Sequence, residues 1–177
     1  MRSLGKVSLQ GLAALISEKL REHGIEAVLS GGAVVSIYSR NKYLSYDLDF
    51  VSSASSIKLE AAMAELGFHR GKGRHFTHLQ TDFYVEFPPG PLAIGRRPVT
   101  RWTRKRTAEG ILDMLDPTQC VMDRLAAWYH WHDPQSLEQA VLVAKKHRVR
   151  WPEVREWSLL EGMADRFEIF RSRLGLK

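Results

Sequence analysis

The stretch "SGGAVVSIYSRNKYLSYDLDFV", Ser30 to Val51, decides the fold. It opens with the pair Gly31-Gly32 and closes on two aspartates, Asp47 and Asp49, with one leucine between them. On a strand, residues i and i+2 leave the same face, with Cα atoms roughly 6.6 Å apart. Asp47 and Asp49 therefore share a face, while Leu48 and Phe50 point the other way, into a core. Two ionised carboxylates that close repel each other. A divalent cation between them, or an open aqueous face, makes the arrangement tolerable. An all-oxygen ligand set suits Mg²⁺ or Mn²⁺ rather than zinc.

On the N-terminal side, Ser8 caps a helix whose apolar residues Leu9, Leu12, Ile16 and Leu20 recur at spacings of three and four. Gly24 ends it. Residues 25–30 read as a buried strand, residues 33–39 as a short helix, and residues 43–51 as the next strand. Residues 56–67 form a capped helix ending on glycine. Residues 74–79 and 81–87 read as a hairpin of strands, which gives the order α-β-α-β-α-β-β. In the last strand, Tyr84 and Glu86 share one face and Phe83, Val85 and Phe87 the other. A carboxylate in such a strand is costly without a partner. If this strand lies beside the one carrying Asp47 and Asp49, Glu86 faces the same site. Three acids around two metals roughly 4 Å apart form a clamp for in-line phosphoryl or nucleotidyl displacement.

The glycines fit the same chemistry. Glycine lets a backbone approach a ligand, and the amides of a helix N-terminus bind phosphate. Ser30 or Ser36 adds a hydroxyl. The glycine-lysine-serine ending of a Walker loop is missing.

Composition bounds the rest. The chain has 177 residues, enough for one compact domain or a small domain with a helical appendage. It holds no apolar run of the roughly 18 residues that span a bilayer, so no membrane partner is expected. The first fifteen residues lack a secretory pattern, and the single cysteine, Cys120, excludes an internal disulfide. A reducing cytoplasm is the expected compartment. The net charge of +6 favours polyanions, and two basic clusters, residues 96–106 and 145–151, include Trp102 and Trp151. That combination points to nucleic acid.

Composition changes after Pro88, and "PPGPLAIG" is not expected to hold regular structure. Asp116-Pro117 and Asp133-Pro134 each place a capping acid before a first-turn proline, which predicts two antiparallel helices. One last helix is predicted from Pro152 to Leu174. The expected division is an α/β domain over residues 1–105 and a helical lobe over 106–177. His130 and His132 are too poorly spaced on a helix to ligate together. "GKGR", residues 71–74, reads as a turn or a phosphate contact.

The ordered set "LSGGAVV", "YDLDF" and "YVEF" resembles the nucleotidyltransferase superfamily of DNA polymerase beta type, and most closely the minimal AbiEii toxin-like branch. "DRLAAWYHWHDPQSLEQA" resembles that branch's second motif, with Arg124 and Asp133 at its basic and acidic positions. The resemblance spans residues 25–145 and departs at three places. Tyr43 stands where relatives carry arginine, Glu86 where they carry aspartate, and Arg124 where they carry lysine. It implies a short mixed sheet flanked by helices with a C-terminal helical lobe. It further implies a Mg²⁺- or Mn²⁺-dependent enzyme with Asp47, Asp49 and Glu86 as catalytic and metal-binding residues. Ser30, Gly31, Gly32, Lys42, Arg74 and Arg124 would hold the nucleotide. The reaction would move a nucleoside monophosphate from an NTP to a hydroxyl of an RNA, such as tRNA, or of a protein. A toxin of this kind would have an antitoxin partner. The alternative is a non-catalytic module of the same fold that binds RNA or a protein.

Overall fold

The structure is a computed structural model that describes residues 4–71 and 74–175. Helix α1 (Leu9–Glu22) starts at Ser8, whose side chain accepts the Gly11 N–H. Strand β1 (Ala27–Ser30) runs without a loop into helix α2 (Gly31–Ser39). Strand β2 (Asp47–Ser52) and helix α3 (Ser56–Glu65) follow. Then come β3 (His69–Arg70), β4 (Phe76–His78) and β5 (Thr81–Glu86). The order matches the prediction except for the short strand β3, which adds a third strand after α3.

The segment after Pro88 differs from its expectation. Residues Ala93–Ile94 (β6) and Arg97–Pro98 (β7) form a small hairpin. The basic run continues into β8 (Thr103–Arg106), paired with β9 (Ile111–Met114). The prolines and arginines concealed these strands, because β8 is an edge strand with only one paired side. The seven-stranded mixed sheet has the order β3-β4-β5-β2-β1-β9-β8. It therefore runs past residue 105, to Met114.

Helices α4 (Pro117–Trp131) and α5 (Pro134–Ala144) begin at the predicted aspartate caps, Asp116 and Asp133. The single last helix is instead two, α6 (Trp151–Leu160) and α7 (Ala164–Arg173). Gly162, at φ +75°, turns the chain between them. Such a φ is accessible to glycine and ends a helix.

Pleat alternation gives the sheet two unlike faces. Leu48, Phe50, Val85 and Leu29 are fully buried on one face. The other face carries Asp47 and Asp49 of β2, Ser30 and Val28 of β1, and Glu86 of β5, as the pairing registers require. The β6–β7 hairpin is tied to the helical lobe by the Trp157 indole, which donates to the Ile94 carbonyl at 3.0 Å. Trp157 is buried and stacks on Tyr129 with ring centroids 5.5 Å apart. Its replacement by alanine leaves a cavity and removes the indole hydrogen bond to the hairpin. We expect Trp157→Ala to lose about 3–5 kcal/mol of stability, read as a lower urea midpoint at unchanged slope.

Candidate active site

Strand β2 pairs in parallel with β5, with Asp47 opposite Tyr84 and Asp49 opposite Glu86. On its other side Asp49 faces Ser30 of β1. Neighbouring strands lie about 4.8 Å apart, so Ser30, Asp49 and Glu86 form a row across one sheet face with Asp47 beside it. The loop leading to Asp47 is braced from α2. The Ser36 hydroxyl accepts the Ser45 N–H at 2.8 Å, and Ser45 Oγ accepts the Asp47 N–H at 3.2 Å. Ser36 is thus a buried structural hydroxyl rather than a ligand group.

Gly31 has φ +69°, and a Cβ there would meet Asp49 Oδ2 at 2.5 Å. Only glycine fits. The α2 N-terminus consequently abuts the carboxylates directly, and Ser30 makes no side-chain cap. Its hydroxyl reaches the Asp49 carbonyl at 3.3 Å instead. The first-turn amides of α2 thus have no side-chain acceptor from Ser30, the arrangement that receives an anion. At Gly32 a Cβ would press on Ser45 and on the Tyr43 ring at 3.1–3.3 Å.

The acids are electrostatically crowded. Burial pushes Asp49 up from 3.8 to about 7, with Asp47 and Glu86 adding to the shift and Arg124 opposing it. Burial and then Glu86 push Asp47 up to about 6, against the pull of His75. Asp47 Oδ1 is buried without a hydrogen-bond partner. The Tyr84 phenol is raised by burial and by all three acids.

Two residues join this cluster that the sequence reading did not place there, His75 and Asp123. His75 Nδ1 lies 2.7 Å from Glu86 Oε1. The contact is close enough for an ion pair but misaligned as a hydrogen bond, since Nδ1 has no hydrogen-bond partner. Its ring meets Tyr84 edge-on at 4.9 Å. Asp123 of α4 adds to the charge felt by Asp49. It also holds the Arg124 guanidinium through Nε at 3.0 Å and through a second nitrogen at 2.6 Å. Burial would lower the Arg124 pKa, but Asp123 foremost, with Cys120 and Asp49, raises it. Arg124 therefore stands near Asp49, tied to its own neighbour.

The remaining expected residues lie elsewhere. Lys42 is exposed beside Arg40 and Lys146, and this crowding contributes to lowering the Lys146 pKa, after desolvation. Arg74 lines a shallow cleft with Leu59, Phe76 and Phe87. Phe76 pairs with buried Val85, which puts this cleft on the opposite, helix-covered face. In the "GKGR" turn, Lys72 and Gly73 fall outside the described residues. Asp133 caps α5, accepting from Gln135 N and Ser136 Oγ.

Part of each basic cluster is tied into the fold. Arg104 makes a bidentate pair with Asp113 at 2.8 and 2.9 Å, and Lys105 donates to Gln10. Lys146 donates to the Ser39 carbonyl, and Arg150 pairs with Asp116 and Glu153. Cys120 is fully buried, and burial raises its thiol pKa, so it is a core residue. Among the described residues, no group of three His, Cys, Asp or Glu side chains converges as a ready-made metal cage. No helix among them is long and apolar enough to cross a membrane.

No family model and no curated protein matches the chain. Two solved structures share its architecture. One is the solution structure of the antibiotic-resistance factor ANT(2″)-Ia, 14% identical at TM-score 0.50, covering 94% of each chain. The other is a crystal structure of ANT(2″)-Ia in complex with adenylyl-2″-tobramycin, 15% identical at TM-score 0.50. It covers 93% of this chain and 97% of the other. The chain has a nucleotidyltransferase-type fold. At this level of identity the likeness extends to architecture and not to substrate.

The raised pKa of Asp49 has a stability consequence. A carboxyl whose native pKa lies above its ordinary value binds its proton more tightly when folded, so native stability falls as pH rises from about 4 to about 7. In the presence of a chelator, Asp49→Asn is expected to melt a few degrees above the unaltered protein at pH 8. The difference should vanish near pH 4, and melting curves across this range check it.

Proposed function

We propose that this protein is a nucleotidyltransferase that moves a nucleoside monophosphate from an NTP to a hydroxyl group. One observation carries the reading: Asp47, Asp49 and Glu86 share a sheet face directly against the uncapped, glycine-started N-terminus of α2. The shared architecture with a protein solved with an adenylylated compound supports it.

The residues fit a divalent cation. Asp47 Oδ1 is a buried oxygen without a partner, and the two aspartates are held in mutual repulsion that a cation relieves. Asp47 and Asp49 would hold Mg²⁺ or Mn²⁺, with Glu86 beside them. When bound, the cation neutralises phosphate charge and polarises the phosphoryl oxygens. The α2 amides and the Ser30 hydroxyl receive the triphosphate. Arg124 offers its guanidinium as counter-charge once phosphate competes with Asp123. Glu86, steadied by His75, accepts the proton of the acceptor hydroxyl. The acceptor oxygen bonds to the α-phosphorus, the bond from that phosphorus to the leaving oxygen breaks, and pyrophosphate departs.

The AbiEii resemblance extends this reading to an RNA or protein acceptor, a toxin role and an antitoxin partner. Arg104 and Arg150 of the basic clusters are ion-paired within the fold, and we take a small hydroxyl compound as the acceptor. The capture of Arg124 by Asp123 favours a second reading, a non-catalytic module of this fold.

The test incubates the protein with Mg²⁺ and α-labelled NTPs, separately with tRNA, cell protein and a small-molecule extract. Label is expected in one acceptor pool and at background in the Asp47→Ala, Asp49→Ala double variant. Transfer that survives the double substitution removes the assigned site. Absence of any Mg²⁺-dependent NTP binding by calorimetry, with salt-dependent RNA binding, establishes the module instead.

A further inference from the structure

The face that carries the acids does not stop at them. Val51 lies two residues beyond Asp49 on β2, and Val28 two residues before Ser30 on β1. Both side chains therefore leave the acid-bearing face, roughly 7 Å along the strands from the carboxylates. Together they floor a groove of about 530 Å³.

The groove is walled by firmly held backbone. Past β5 the chain continues alongside the end of β2, with the Ser52 N–H donating to Pro88 O at 3.2 Å and the Gly90 N–H to Ser52 O at 2.8 Å. A Cβ at Gly90 would collide with Ser53 Oγ, so the wall closes on the strand without a gap. The opposite side is the strap of residues 98–102, which lines the groove through Val99, Thr100 and Trp102. The strap is secured by the Val99 N–H donating to Leu92 O at 2.9 Å and by the Trp157 link to Ile94.

The lining is uncharged apart from its rim. Glu26 and Lys58 are its charged residues, one of each sign, and both are exposed. The interior offers the apolar floor, the half-buried Trp102 ring, and the hydroxyls of Ser53, Ser55 and Thr100. An aromatic plane with scattered hydroxyls and balanced charge suits a ring with apolar C–H faces and hydroxyl edges. Its single lining carboxylate, Glu26, is offset by Lys58, so the groove suits a neutral ring better than a polycation.

We propose that this groove is the acceptor subsite of the reaction assigned above, and that it takes an uncharged carbohydrate ring. The inference rests on the nucleotidyltransferase reading. The ring stacks on Trp102 with one hydroxyl directed along the sheet face toward Glu86. That hydroxyl loses its proton to Glu86, its oxygen bonds to the α-phosphorus of the NTP, and pyrophosphate leaves.

The experiment follows backbone amide, valine methyl and indole resonances of the isotope-labelled protein. Titration with ATP and Mg²⁺ is expected to shift the Gly31 and Gly32 amides. Methyl α-D-glucopyranoside is expected to shift the Val28 and Val51 methyls and the Trp102 indole at millimolar concentration. Tobramycin, as a polycationic probe, and uridine, as a nucleoside probe, are expected to leave them unmoved. Trp102→Ala should weaken the glucoside response by about tenfold. Thr100→Val, an exposed change, should weaken it while leaving melting temperature and ATP shifts intact. Silence of the groove resonances toward the glucoside, or a stronger response to tobramycin or uridine, overturns the assigned acceptor while leaving the nucleotide site standing. Silence of the Gly31 and Gly32 amides toward ATP and Mg²⁺ removes the nucleotidyltransferase reading itself, and the acceptor subsite falls with it.

Discussion

The parallel pairing of β2 with β5 is the constraint on which the rest of the site depends. Its register puts Leu48 beside Val85, and both are fully buried. A slip of β5 by one residue would turn Val85 outward and carry Glu86 into the core face. The apolar face thus fixes the polar face, and the core enforces a carboxylate cluster that the carboxylates themselves resist. Burial first, and then the neighbouring acids, raise the pKa values of Asp47 and Asp49. The cost is borne at one place in an otherwise well-packed domain, which is where a protein stores unfavourable electrostatics when chemistry requires it.

The other half of the site follows from backbone economy. β1 passes into α2 with no intervening loop, and Gly31 is the only residue type that lets the helix start against Asp49. The helix then reaches forward through Ser36 and Ser39 to hold the loop that delivers Asp47. Helix start and acid strand are therefore one braced unit. From the far side, α4 brings Asp123 and Arg124 toward it, so both signs of charge border the same few residues.

Much of this was legible in the sequence because it is local. Period-two alternation placed Asp47 and Asp49 on one face, and proline after aspartate located the starts of α4 and α5. Glu86 stood out as an acid in an apolar strand, but its neighbour could not be read, because a parallel register between β2 and β5 is set by the core and not by a turn. His75 was hidden by a different mechanism. Counting back from the hairpin turn pairs His78 with Thr81 and would leave Glu86 opposite Gly73; the register shift between Phe76 and His78 brings His75 there instead. In the basic clusters a run of arginines looks the same whether its partners are phosphates or carboxylates, and for Arg104 and Arg150 they are carboxylates. Their partners Asp113, Asp116 and Glu153 are supplied by the fold. The break at Gly162 was visible as a glycine, yet the apolar spacing on both sides continued through it.

The link between Trp157 and Ile94 has a consequence for how the molecule comes into being. The strap it secures flanks the acid-bearing face, but its anchor is made 63 residues later in the chain. During synthesis the sheet strands emerge well before that anchor exists, at roughly 5–20 residues per second. For the intervening seconds the nascent chain presents Val28, Val51 and the carboxylates with their strap held by its local bond to Leu92 but not yet by the Trp157 link. The last helices are thus a late-arriving clasp, and any premature termination before Trp157 would release a sheet whose working face had never been closed.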